Sequence, residues 1–136
     1  MKISTAQAKS SRKGPSDWFT GTVWIDEIVS APPPARVKAN RVTFEPGART
    51  AWHTHPVGQT LHVEAGVGRV QLKGNPVCTI YPGDTVWIAP GEEHWHGADA
   101  AHTFTHLAIQ ERDEHGAEVV WLDHVSDAEY EAEAGI

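Results

Sequence analysis

The sequence predicts an all-β, single-domain barrel or sandwich with one short helix at the C-terminus. Three observations predict it. Short β-rich segments recur at regular spacing and are punctuated by Gly 12 and Pro 9 in 136 residues. The length suits one core, and is too short for a TIM barrel or a dinucleotide-binding unit with a second domain. Only one segment, near the C-terminus, carries a helix signal.

Residues 1–16 are polar and basic, with Lys2, Lys9, Arg12 and Lys13, and read as a flexible N-terminal arm before a domain over residues 17–136. Phe19–Val29 reads as the first strand. Ala31-Pro32-Pro33-Pro34 is a rigid extended connector. Arg41–Glu45 follows as a strand that Pro46-Gly47 ends. Further strands are expected at Ala51–His55, Thr60–Glu64, Gly68–Lys73, Val77–Ile80, Thr85–Ala89, His94–Gly97, Thr103–Gln110 and Val119–Asp123. Ser126–Glu133 is the helix candidate, because Ser126 and Glu129 match a capping box.

Composition narrows the function. The net charge of −7 disfavours nucleic acid and anionic membranes as partners. No apolar run has the length of a signal peptide or a membrane span. A single cysteine, Cys78, excludes an internal disulfide framework. A reducing, cytoplasmic location is therefore expected, with a small molecule as the partner.

Nine histidines are present, and seven of them fall between His53 and His106. His62, His102, His115 and His124 read as structural or surface residues. His53-Thr54-His55 differs, because residues i and i+2 of a strand project to one side and two imidazoles can then meet one ion. His94-Trp95-His96 repeats the arrangement. Two such pairs in a reducing compartment point to a divalent metal, for which manganese, iron, cobalt, nickel and zinc all accept such donors. By the same alternation Trp52, Trp87 and Trp95 point away from the ion. There they fit subunit or sheet contacts, and as an outward tryptophan surface, with the Trp18-Phe19 arm, they predict a homo-oligomer.

The spacing of these residues resembles the cupin motifs. Gly47, His53, His55, Gln59 and Gly66 follow the first motif, with Gln59 where that motif has glutamate. Gly83, Gly91 and His94 follow the second, with Ala89 and Ala98 as departures. The resemblance implies a double-stranded β-helix, or jelly-roll, barrel and a ligand set of His53, His55, Gln59 and His94. Such a set is wholly neutral, so a divalent ion keeps its full charge. It becomes a stronger Lewis acid, and its trivalent state is less well supported.

The segments Gly14–Ile25, Thr43–Gln59, Gly91–Gly97 and Thr105–Arg112 resemble the small bacterial manganese-dependent cupin hydroxynitrile lyases. That resemblance implies Mn(II), a dimer or tetramer, and reversible cleavage of aromatic cyanohydrins such as mandelonitrile to an aldehyde and hydrogen cyanide. It also places His106 in the pocket, where a neutral imidazole can serve as general base and acid. His96 is the second candidate for that role. Alternation leaves the inward face of Thr103–Gln110 open. If His106 faces inward, Gln110 shares its face, and the resemblance sets Asn40, Val42 and Phe44 against the same cavity. Two other readings use the same fold: a metal-dependent oxidoreductase of the dioxygenase kind, and a binding module for a small ligand.

Overall fold

In the computed structural model, which describes residues 1–135, nearly every regular element is a strand. Ile136, the last residue of the expected domain, lies outside the described residues. The strands are β1 (Arg12–Lys13), β2 (Phe19–Thr20), β3 (Val23–Ser30), β4 (Val37–Phe44), β5 (Arg49–Thr50), β6 (His53–Thr54) and β7 (Gln59–Gly66). They continue with β8 (Gly68–Leu72), β9 (Cys78–Ile80), β10 (Thr85–Ile88), β11 (His94–Ala98), β12 (Phe104–Glu111) and β13 (Val120–Trp121). One sheet has the order β1-β3-β4-β12-β7-β10. The other runs β13-β6-β11-β5-β2, with β8 joined to β11 and β9 joined to β8. The pairings between strands are antiparallel. These two sheets are the walls of the jelly-roll barrel that the cupin resemblance implies.

Local chemistry explains where strands break. The expected strand Phe19–Val29 is two strands, because Gly21 turns between them at φ +80°. A side chain there would also meet Ala48, with an added Cβ 2.9 Å from its Cβ. Gly66 is needed for a close approach, since an added Cβ would lie 1.8 Å from the carbonyl oxygen of Thr103. The arm residues Arg12 and Lys13 pair with Ile25 and Trp24 on β3.

The register settles the face that alternation leaves open. Phe104, His106 and Ala108 stand opposite Phe44, Val42 and Asn40. Phe104, His106, Ala108 and Gln110 are buried, whereas Ile109 and Glu111 are exposed. The main core lies between the sheets and includes Val23, Phe44, Leu61, Val63, Ile88 and Phe104.

A second core lies behind the strands that carry the histidine pairs, and it corrects one expectation. Trp52 and Trp95 are buried with Val77, Val125 and Tyr130, so they are not part of an outward tryptophan surface. Alternation does turn them away from the imidazoles, but the chain end returns to cover that face. The covering element is α1 (Asp127–Tyr130), shorter than the expected Ser126–Glu133. Its capping box is complete: Ser126 Oγ accepts from Glu129 N at 3.1 Å, and Ser126 N donates to Glu129 Oε1 at 3.0 Å. Tyr130 Oη donates to Ala98 O at 2.6 Å, and its ring lies beneath the guanidinium of Arg49. Trp87 remains 62% exposed.

Candidate metal centre and active site

Two short strands, β6 and β11, bring the histidine pairs together. His94 on β11 stands opposite His53 on β6, so the two motifs become neighbours across one ladder. The ring centroids of His53 and His94 lie 4.2 Å apart, and those of His53 and His55 lie 5.1 Å apart. Gln59 opens β7 in the other sheet and points into the same space. The site therefore bridges both walls of the barrel.

Backbone carbonyls fix the tautomers of three rings. His53 Nδ1 lies 2.8 Å from Ala51 O, His55 Nδ1 2.6 Å from Glu118 O, and His94 Nδ1 2.9 Å from Glu92 O. A carbonyl can only accept, so each Nδ1 carries the proton and each Nε2 of a neutral ring presents a lone pair. The rings do stay neutral. Burial, reinforced by neighbouring His94 and His55, holds His53 well below its ordinary pKa. Burial also lowers His55, and it lowers His94 to about 4.

The donor set fits a cation. Gln59 Nε2 donates to Gln110 Oε1 at 3.2 Å, which turns Gln59 Oε1 toward His94 Nε2 at 3.4 Å. Two acceptors then face one another with no proton to share. His55 Nε2 is also buried without a partner. Such orphaned lone pairs are costly unless something electropositive lies among them. His53, His94 and His96 also have ligand atoms all within 4.8 Å of one another, so His96 borders the same space. His53, His55, Gln59 and His94 are the residues whose lone pairs could hold the ion.

His96 and His106 form a second unit beside this cluster. His106 Nε2 and His96 Nδ1 are 3.0 Å apart, and one proton lies between them. His96 Nε2 and His106 Nδ1 have no partner. Burial and the neighbouring His106 hold His96 well below its ordinary pKa, and burial lowers His106 to about 4. Phe44 lies against both rings, with centroids 5.9 and 5.4 Å away.

A cavity of about 600 Å³ opens onto these groups. Asn40, Val42, Phe44, Gln110, His53, His55, Gln59, His96 and His106 all line it, so the residues singled out in the sequence meet there, apart from His94. His94 reaches the site through its contacts with His53 and Gln59. Asn40 Oδ1 is enclosed in the wall without a partner. Other wall residues carry no motif and are visible only in the fold. Trp121 lies 4.7 Å from the His53 ring and stacks on Trp18 at 5.3 Å. Glu118 orients His55 through its backbone oxygen, a role that its side-chain type could not have signalled.

Comparison with known proteins identifies the family and the fold. A family model described as "Cupin domain" matches residues 40–109. An (R)-mandelonitrile lyase from Granulicella tundricola is 58% identical over 130 residues, covering 96% of this chain and 98% of that protein. A cupin-like protein from Thermotoga maritima has a TM-score of 0.82 at 41% identity, covering 87% of this chain and 89% of its own. The polyketide cyclase RemF from Streptomyces resistomycificus shares the fold, with a TM-score of 0.68 at 18% identity over 96% of this chain and 91% of its own. Among the described residues, no helix is long and apolar enough to cross a membrane. A matched domain that contains the histidine cluster, together with a relative that spans nearly the whole chain, establishes that this protein belongs to the cupin family.

Proposed function

We propose that this chain is a metal-dependent hydroxynitrile lyase. It would cleave aromatic cyanohydrins such as mandelonitrile, reversibly, to an aldehyde and hydrogen cyanide. The observation that carries this reading is the buried, neutral His96–His106 pair, which opens into an aromatic-lined cavity directly beside the imidazole cluster. The 58% identical (R)-mandelonitrile lyase supports it.

Cleavage requires one proton to move twice. A base removes the hydroxyl proton, and the oxygen lone pair closes the carbonyl. The carbon–carbon bond electrons then leave with cyanide, which takes the proton back. His106 is assigned as this base and acid, with His96 as its hydrogen-bonded partner. Burial keeps both rings neutral at neutral pH, so a bare nitrogen is available before the proton arrives. Phe44 and Val42 shape the wall against the aryl ring, while Asn40 and Gln110 supply the polar side. A divalent ion held by His53, His55, Gln59 and His94 would supply positive charge beside the developing alkoxide oxygen. Because that donor set is neutral, the reading favours Mn(II) in a Lewis-acid role over an iron centre that cycles through oxidation states. The same reading includes a homo-oligomer, supported by the exposed Trp24, Ile28, Val29 and Trp87. It also includes a cytoplasmic setting.

The test pairs two measurements on one preparation: elemental metal content, and benzaldehyde release from mandelonitrile before and after chelation. Stoichiometric metal with chelator-sensitive release, restored by manganese, is expected. Stoichiometric metal with no release would overturn the lyase reading.

A further inference from the structure

We propose that the rim of the cavity recognises an anionic group on the substrate, with Arg12 as the recognition residue. On this view the preferred substrates are cyanohydrins whose aryl ring carries a carboxylate remote from the reacting carbon. The inference rests on the lyase reading above.

The register points Arg12 inward. Arg12 stands opposite Ile25, Ile25 opposite Val42, and Val42 opposite His106. Residues opposed in this way project to the same side of a sheet, so Arg12 shares the face of His106. Both residues line the cavity. Three strand spacings separate them, roughly 14 Å at ~4.8 Å each. A para-substituted aryl ring beside His106 would span about half of that, and an extended arginine side chain would cover much of the rest.

The charge of Arg12 is not committed elsewhere. Lys38, Arg41, Arg49 and Lys73 each pair with a carboxylate. Among the described residues, Arg12 has no such partner, and neither does Lys13, which also lines the cavity but whose register partner is Trp24 on the opposite face of the sheet. Among the described residues, the only carboxylate at the cavity, Glu118, is bound to Lys38 at 3.0 Å. The planar guanidinium suits bidentate pairing with a carboxylate.

Arg12 is also held in place. Gly14 N donates to Val23 O at 2.8 Å just beyond it, and an added Cβ at Gly14 would lie 2.7 Å from the Phe19 ring. The backbone therefore sits flush on the aromatic wall. Arg12 lies outside the residues 40–109 matched by the family model.

The experiment compares 4-carboxymandelonitrile with its neutral isostere, 4-carbamoylmandelonitrile, on the manganese-loaded protein. Because Arg12 is exposed, its effect should be modest and sensitive to salt. The expected result is a kcat/KM ratio favouring the carboxylate by about two- to fivefold at low ionic strength. That ratio should shrink toward one in half-molar salt and be lost in Arg12→Gln, while Arg12→Lys should keep part of it. Reading the ratio within each variant removes any general effect of the substitution. A ratio near one in the wild type, or one that survives Arg12→Gln, would overturn the proposal. If neither cyanohydrin is cleaved, the lyase reading fails and binding decides the charge question. The matching carboxy- and carbamoyl-benzaldehydes would then be titrated against the fluorescence of Trp18 and Trp121. Equal affinities would overturn anion recognition, and tighter carboxylate binding that Arg12→Gln removes would uphold it.

Discussion

At the residue scale, hydrogen bonding divides the imidazoles into two groups. His53, His55 and His94 have their Nδ1 protons fixed on backbone carbonyls, so only Nε2 remains to act. His106 has no carbonyl partner for its Nδ1 and shares its Nε2 with His96, so it is free to exchange a proton. His106→Ala is therefore expected to leave metal content intact while turnover of mandelonitrile falls about 10²- to 10⁴-fold. Unchanged turnover would remove it as the base. Gln59 tests the charge argument separately. Gln59→Glu adds a negative charge where the neutral amide oxygen now faces His94 Nε2 at 3.4 Å. Cleavage should slow by roughly tenfold, about 1.4 kcal/mol of barrier, while the metal binds at least as tightly. A faster enzyme would contradict the role given to a neutral donor set. Much of this was legible in the sequence, because an i, i+2 histidine pair needs only a strand to converge. The carbonyl of Glu118 was not legible, since it reaches His55 from 63 residues away and any residue type could supply it.

At the element scale, alternation predicts faces but needs a partner strand to choose between them. Thr103–Gln110 carries mixed residues on both faces. The choice follows only once β12 lies between β4 and β7 and sets His106 opposite Val42 and Val63. The same reasoning misread Trp52 and Trp95, because nothing local announces that α1 will fold back over them. That return matters for the site. Trp95 lies between His94 and His96 on β11, is wholly buried, and has its indole N–H on Gln71 Oε1 at 2.8 Å. It anchors the strand from behind while the two imidazoles face the cavity. Trp95→Ala should cost about 3–5 kcal/mol of stability in urea or thermal unfolding. A loss under about 0.5 kcal/mol, the range of ordinary surface substitutions, would show that this second core does not hold β11 in place.

At the scale of the whole molecule, the candidate metal site joins the two sheets. His53 and His94 belong to one wall, and Gln59 begins a strand of the other. An ion held by all of them ties β6, β7 and β11 together in the folded chain. The unfolded chain offers no comparable set of donors, so binding adds to stability by linkage. At a free metal concentration 100 times the dissociation constant, the gain is about 2.7 kcal/mol. For a domain of this size that corresponds to a Tm shift of roughly 10 °C. Chelation should lower the Tm by this order and manganese should restore it. His53→Ala should abolish the difference between the chelated and manganese-loaded forms, because it removes one of the rings in the shared ladder. Both forms of that variant should then melt near the chelated wild type, apart from the cost of the substitution itself. A wild-type Tm indifferent to chelation, with metal shown to have left, would mean that the ion does not bridge the barrel walls. The buried, unpartnered nitrogen of His55 would then need another explanation.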